Sequence, residues 1–113
     1  EKAARKIASC LVSRRPLKTT CDLLPCLFST KTKSRIFQSL RIAVSGELDS
    51  LSVALPVAMN LAKKVVVISY HSLEDRIVKN NFQNRILIIP SEEEIINNSR
   101  ARSAKLRLYV KNK

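Results

Sequence analysis

The apolar positions at the start of the chain recur with helical spacing. Ala3, Ala4, Ile7, Ala8, Leu11 and Val12 fall opposite Lys2, Lys6 and Ser9 until Pro16 stops the pattern, which predicts an amphipathic helix with a basic face. Thr19 and Thr20 offer a cap for a second short helix through Leu23 and Leu24, with Pro25 placed to break it. Ser29 to Lys33 reads as a basic loop. From Ser34, a candidate N-cap, the positions Ile36, Phe37, Leu40, Val44, Leu48, Leu51 and Leu55 keep a helical phase. Gly46 and Pro56 sit where such a helix can kink or restart, so one long helix or two abutting ones are expected.

The pattern then changes period. Val65, Val66, Val67 and Ile68 are consecutive and β-branched, as in a strand buried on both faces of a helix-covered parallel sheet; periodicity alone leaves a buried helix open. Ser72 and Asp75 have capping-box spacing ahead of the apolar face Ile77, Val78 and Phe82, so strand, turn and helix follow in order. Arg85 to Ile89 is expected as a short strand before Pro90. Ser91 and Glu94 form a second capping box that opens a brief helix through Ile96, with acids at its positive end. Finally Ala104, Leu106, Leu108 and Val110 alternate with Lys105, Arg107, Tyr109 and Lys111, the period of a strand with one buried face.

Composition narrows the chemistry. The 113 residues suffice for one ordinary domain at most, able to bury roughly two-thirds of its unfolded surface. Net charge is +12, distributed as +8 over residues 1–46, −2 over 47–94 and +6 over 95–113. Basicity at both ends favours a polyanionic partner, nucleic acid ahead of membrane, because each cation placed on a phosphate releases counterions; a solvated basic surface is the plainer alternative. The apolar run Val65 to Ile68 is far short of the ~20 residues a membrane span needs, and no signal-peptide pattern opens the chain, so a cytoplasmic location is expected. The opening at Glu1, with no methionine, reads as part of something longer. With Gly46 as the single glycine, glycine-rich phosphate and cofactor loops are absent. Three cysteines cannot all pair, and Cys21 and Cys26, distant from the lone His71, lack zinc-site spacing; they read as reduced core thiols, with no metal. Phe28, Phe37, Phe82, Tyr70 and Tyr109 fall mainly on apolar faces, so a base-stacking platform is not supported.

In open α/β sheets ligands bind beyond the carboxyl ends of strands, which makes His71, Ser72, Glu74 and Asp75 the best-placed polar cluster. One reading makes His71 or Asp75 a proton acceptor for a bound base; the plainer one, which spacing favours, makes Ser72 and Asp75 caps and His71 a hydrogen-bonded packing residue. Ser99 to Lys105 alternates small and cationic residues, a shape that lets Arg100 and Arg102 approach phosphates, or simply a solvated loop.

The run Val66-Val67-Ile68-Ser69-Tyr70-His71-Ser72-Leu73-Glu74-Asp75-Arg76-Ile77-Val78-Lys79 resembles the hallmark of the small-subunit (16S) rRNA cytosine-N4 methyltransferase family (RsmH, also called MraW). Arg35 to Ile42 is similar to that family's Arg-x-Phe-Gln-Ala-Leu-Arg-Ile block. Pro90 to Glu94 and Arg100 to Arg107 are similar to its carboxyl-terminal tail, and Glu1 to Arg15 with Thr19-Thr20 to its helical insertion. Lys31 to Ser34 departs from the family's His-Pro-Ala-Thr, and its Pro-Gly-Gly turn is missing between Leu61 and Lys64.

The resemblance implies an α/β fold, the carboxyl-terminal part of a Rossmann-like methyltransferase sheet over residues 34–113, preceded over residues 1–33 by part of a helical insertion domain. It implies methyl transfer from S-adenosylmethionine to N4 of a cytidine, with small-subunit rRNA or the small ribosomal subunit as partner. The family's glycine-rich donor loop, acidic ribose contact and Asp-Leu-Gly-Val-Ser-Ser-Pro segment match no position here, so these residues alone are expected to be inactive. The expected RNA-facing residues are Arg35, Arg41, His71, Ser72, Glu74, Asp75, Arg100, Arg102 and Lys105. Two other classes compete: a non-catalytic basic nucleic-acid module, including the remnant of a split or decaying gene, and a piece whose open strand edge awaits a missing half or a second copy.

Overall fold

Pro16 and the paired threonines end the first helix where the periodic pattern stops. In the computed structural model, which describes residues 3–27, 29–83 and 86–112, helix α1 runs Ala4–Ser13. The expectations placed on Glu1, Lys2, Phe28 and Arg85 lie outside the described residues. The chain divides into two compact units, Glu1–Ser45 and Gly46–Lys113.

In the first unit α1 commits less of its apolar face than its spacing predicts: Ile7 is buried, Leu11 half-buried and Val12 exposed. A 3-10 helix follows over Thr20–Cys26. The Asp22 carboxylate accepts the N–H groups of Thr19 (2.8 Å) and Lys18 (2.9 Å) at its entrance. Those backbone bonds hold the carboxyl below its ordinary range. The cysteines correct the expectation of three reduced core thiols. Cys10 and Cys26 form a disulfide with Cα atoms 5.7 Å apart, and Cys21 is an exposed thiol. The reason is tertiary: the chain folds back after Pro16, so the 3-10 helix packs on α1. Helix α2, Thr30–Ser45, also starts earlier than Ser34, because Ser29 Oγ accepts the Thr32 N–H at 3.1 Å and takes the capping role. The expected basic loop is therefore its first turn.

The second unit begins where Gly46, at φ 62°, caps helix α3, Glu47–Leu61, in the left-handed region that glycine enters without cost. The break in the helical phase falls there, and Pro56 lies inside α3 without ending it. Strand β1 (Lys64–Ser69), helix α4 (Ser72–Asn81), strand β2 (Ile86–Ile88), helix α5 (Glu92–Asn97), a second 3-10 helix (Ser99–Ser103) and strand β3 (Lys105–Val110) complete it. The sheet has the order β1-β3-β2, with β3 antiparallel to both neighbours. The parallel, doubly covered setting expected of Val65 to Ile68 is thus not the observed one. Among the described residues β1 is an edge strand paired only with β3, and Val66 and Ile68 are more than half exposed.

The register sorts side chains to two faces. Val65, Val67, Arg107 and Tyr109 face α3 and α4, where Leu55, Val78 and Phe82 form the core with Leu51, Met59 and Ile77 around them. Full burial of each such side chain contributes about 1.5–3 kcal/mol. Val66, Ile68, Leu106, Leu108, Ile86 and Ile88 share the other face. In β3 the covered face therefore carries Arg107 and Tyr109 rather than the alternating leucines. Arg107 is 8% exposed, and the Tyr109 ring lies 5.5 Å from that of Phe82.

Candidate functional site

Strand β1 delivers the chain into a polar turn at its carboxyl end. Ser69 is buried, and His71, in extended conformation, is the N-cap of α4. The cap is thus one residue earlier than the Ser72 expected from capping-box spacing. The Glu74 N–H donates to His71 Nδ1 at 3.4 Å, and Glu74 reaches back so that Oε2 accepts the Tyr70 N–H at 3.0 Å. His71 Nε2 is shut from water 3.0 Å from Glu74 Oε1, a close contact without hydrogen-bond alignment. With Nδ1 accepting the Glu74 N–H and Nε2 shut from water against Glu74 Oε1, neither ring nitrogen is presented to a bound base.

Asp75, one turn along α4, is tied to β3. Arg107 Nε donates to Oδ1 at 2.7 Å and Arg107 Nη2 to Oδ2 at 3.1 Å, while Lys105 Nζ lies 3.3 Å from Oδ2. The Arg107 hydrogen bonds hold the Asp75 carboxyl below its usual range against the opposing effect of burial. The same bonds raise Arg107. With both oxygens engaged, Asp75 is an ionised structural anchor and not a proton acceptor at neutral pH. Arg107 escaped sequence reasoning because a cation in an alternating strand reads as its solvent side; the signal was an acid and a base on elements that the strand order brings together.

The remaining predicted residues separate by unit. Arg35 and Arg41 are exposed on α2 in the first unit. In the second, Ser72 is exposed in the first turn of α4. Arg100 and Arg102 are exposed on the 3-10 helix Ser99–Ser103, whose Ala101 is buried beneath them. Asn98 Oδ1 caps that helix by accepting the Arg100 N–H at 3.2 Å. The alternation of small and cationic residues is thus a one-sided turn, alanine inward and guanidinium groups outward. Beside it a cleft of about 500 Å³ opens against the sheet, bordered by Tyr70, Glu94, Asn98 and Arg100.

Glycine supply tests the fit to a nucleotide-type methyl donor. Gly46 caps a helix that follows another helix, and the turn after β1 is filled by Tyr70 and His71. The residues present do not fit the donor's phosphate-free but close-approaching backbone cradle, which needs glycine beside a strand.

These features define an α/β protein with a locked polar turn at the carboxyl end of a strand and cations at its border. Known sequences make the assignment specific. The model of the MraW methylase family matches residues 1–87, and the chain belongs to that family. It is 44% identical over 128 residues to a ribosomal RNA small subunit methyltransferase H of Picosynechococcus, covering 95% of this chain and 44% of that protein. Proteins of the same name from Nostoc punctiforme and Coprothermobacter proteolyticus are each 42% identical, with 98% of this chain and 44% or 45% of theirs covered. The chain spans less than half the length of these curated relatives.

Proposed function

We propose that this chain supplies the acceptor-facing, carboxyl-terminal part of a Rossmann-like rRNA methyltransferase that modifies the N4 amine of a cytidine in small-subunit rRNA. Residues 1–33 correspond to part of a helical insertion and 34–113 to the end of the catalytic sheet. The observation that carries the reading is the strand–turn–helix Lys64–Asn81, whose His71–Glu74 clasp and Asp75–Arg107 pair fix the most family-specific stretch of sequence at a strand end. S-adenosylmethionine is the methyl source this family implies, and the donor contacts belong to residues outside these 113. Arg35, Arg41, Arg100 and Arg102 hold RNA phosphates, while Ser72 and the clasped His71 and Glu74 shape the wall that the RNA meets. Asp75 and Lys105 act through the anchor that keeps this wall in place. The setting is the cytoplasm, where ribosomal subunits are assembled.

The test is direct binding. The chain is expected to bind small ribosomal subunits with an affinity that falls with salt. Arg100→Gln combined with Arg102→Gln should weaken it and reduce the log–log salt slope by about 1.4, two single-strand phosphate contacts. Calorimetry with S-adenosylmethionine should show no binding. A micromolar donor Kd, or a salt slope unmoved by the double substitution, contradicts the assignment.

A further inference from the structure

The Cys10–Cys26 disulfide lies in a unit that has little else to hold it together. Among the described residues of Glu1–Ser45 only Ile7, Cys26 and Leu27 are buried, and one of these is half of the bond itself. Val12 on α1 and Leu24 on the first 3-10 helix stay exposed. A unit of this length is close to the ~40 residues below which a cross-link or a metal usually supplies what the core does not. No cluster of metal-ligating side chains exists among the described residues. The docking of α1 on the 3-10 helix Thr20–Cys26 therefore follows the oxidation state of one bond.

The sulfurs differ in access. Cys26 is fully buried, whereas Cys10 is half-buried towards the end of α1. Cys21 stands apart: it precedes Cys26 by five positions in the same 3-10 helix, where a rise of about 2 Å per residue sets the two roughly 10 Å apart. That exceeds the ~7 Å a disulfide can span, so the exposed Cys21 thiol cannot take the place of Cys10 while the helix stands. In the reducing cytoplasm, a setting that rests on the functional reading above, disulfides are usually transient and redox-sensing. We propose that Cys10–Cys26 is a reversible thiol–disulfide exchange site, that its substrate is a dithiol reductant, and that its state decides whether α1 is fixed on the 3-10 helix. The reductant's thiolate attacks Cys10 Sγ, the bond between the two Sγ atoms breaks, and Cys26 leaves as a thiolate that takes up a proton because its dry site disfavours the charge. The reductant's second thiol gives up its proton and displaces Cys10, which leaves as a thiol. Two electrons have then passed to the protein, and the dithiol has become a disulfide. Exchange with a small-molecule disulfide runs the steps in reverse, restoring the bond and releasing two small thiols.

The experiment equilibrates the full chain in buffers of set glutathione thiol-to-disulfide ratio, with millimolar dithiothreitol as the fully reducing point. Free thiols are trapped by alkylation and located by mass spectrometry, and amide hydrogen exchange is followed in parallel. Cys10 and Cys26 are expected to open and close together as the ratio changes, with Cys21 joined to neither. The α1 amides should exchange about 100-fold faster in the reduced chain, the effect of releasing a loop closed over a separation of 16 residues, while the β1–β3 amides keep their protection. Cys10→Ser combined with Cys26→Ser should show the fast exchange in every buffer, and Cys21→Ser should leave the interconversion unchanged. A bond that resists dithiothreitol until denaturant is added, equal α1 exchange in both states, or reoxidation that joins Cys21 to either partner would each overturn the proposal. None of these readouts involves RNA, so their failure leaves the rRNA reading standing. A chain that exchanges thiols as expected but binds no ribosomal subunits fails the rRNA reading alone.

Discussion

Replacing Asp75 by asparagine removes one charge from a pair whose two residues are each 8% exposed, and leaves the Arg107 guanidinium buried without its counter-ion. Losing one partner of such a pair costs about 3–5 kcal/mol, mostly the desolvation of the charge left behind. Lys105 adds little to that figure, since its side chain is 43% exposed and solvent screens its contact. At roughly 0.05–0.15 kcal/mol per residue, a unit of this size holds only about 3–10 kcal/mol in all. Asp75→Asn is therefore expected to leave Gly46–Lys113 barely folded at 25 °C. Urea denaturation of the full chain, followed by circular dichroism, should show the midpoint falling with little change in slope. Asp75→Leu combined with Arg107→Met should recover most of the loss, giving a coupling energy above about 2 kcal/mol. The pH dependence has a definite sign. A carboxyl lowered on folding stabilises fully above its unfolded value of about 3.9, and that contribution is lost as pH falls through the lower folded value. Asp75→Asn should lack that acid limb. A loss under about 1 kcal/mol, or singles that simply add, would refute the reasoning.

The first unit should depend on its cross-link. Cys10 and Cys26 are 16 residues apart, and opening a loop of this length costs about 3 kcal/mol, so Cys26→Ala or reduction should lower the melting point of α1 while Cys21→Ser should not. Gly46→Ala meets no atom within 4 Å at its new Cβ, so only the left-handed backbone opposes it. A loss of about 1–2 kcal/mol in urea denaturation is expected, without a change in the β1–β3 amide resonances.

Local signals carried the elements better than their surroundings. The helical spacing of Ile7 and Leu11, the Ser91 cap of α5 and the alternation along β3 were all legible, because each depends on neighbours in sequence. The α4 cap was misplaced by one residue, since a histidine Nδ1 can do what a serine hydroxyl does once Glu74 folds back to hold it. Which side of β3 is covered was not legible: Asp75 lies 32 positions before Arg107, and only the strand order brings them together. The same distance problem hid the Cys10–Cys26 bond: the cysteines read as reduced core thiols, and only the fold-back after Pro16 brings two of them together. The polar turn itself was legible through the length of its family-specific run, while the roles of its carboxylates emerged from their hydrogen bonds.

Methyl transfer by reconstitution tests the central claim most directly. The chain, the complementary amino-terminal portion of the Picosynechococcus relative, and their mixture are each incubated with small ribosomal subunits and radiolabelled S-adenosylmethionine. The account predicts label at a cytidine N4 with the mixture and none with either part alone. Label transferred by this chain by itself, or none from a mixture shown to associate, would contradict it.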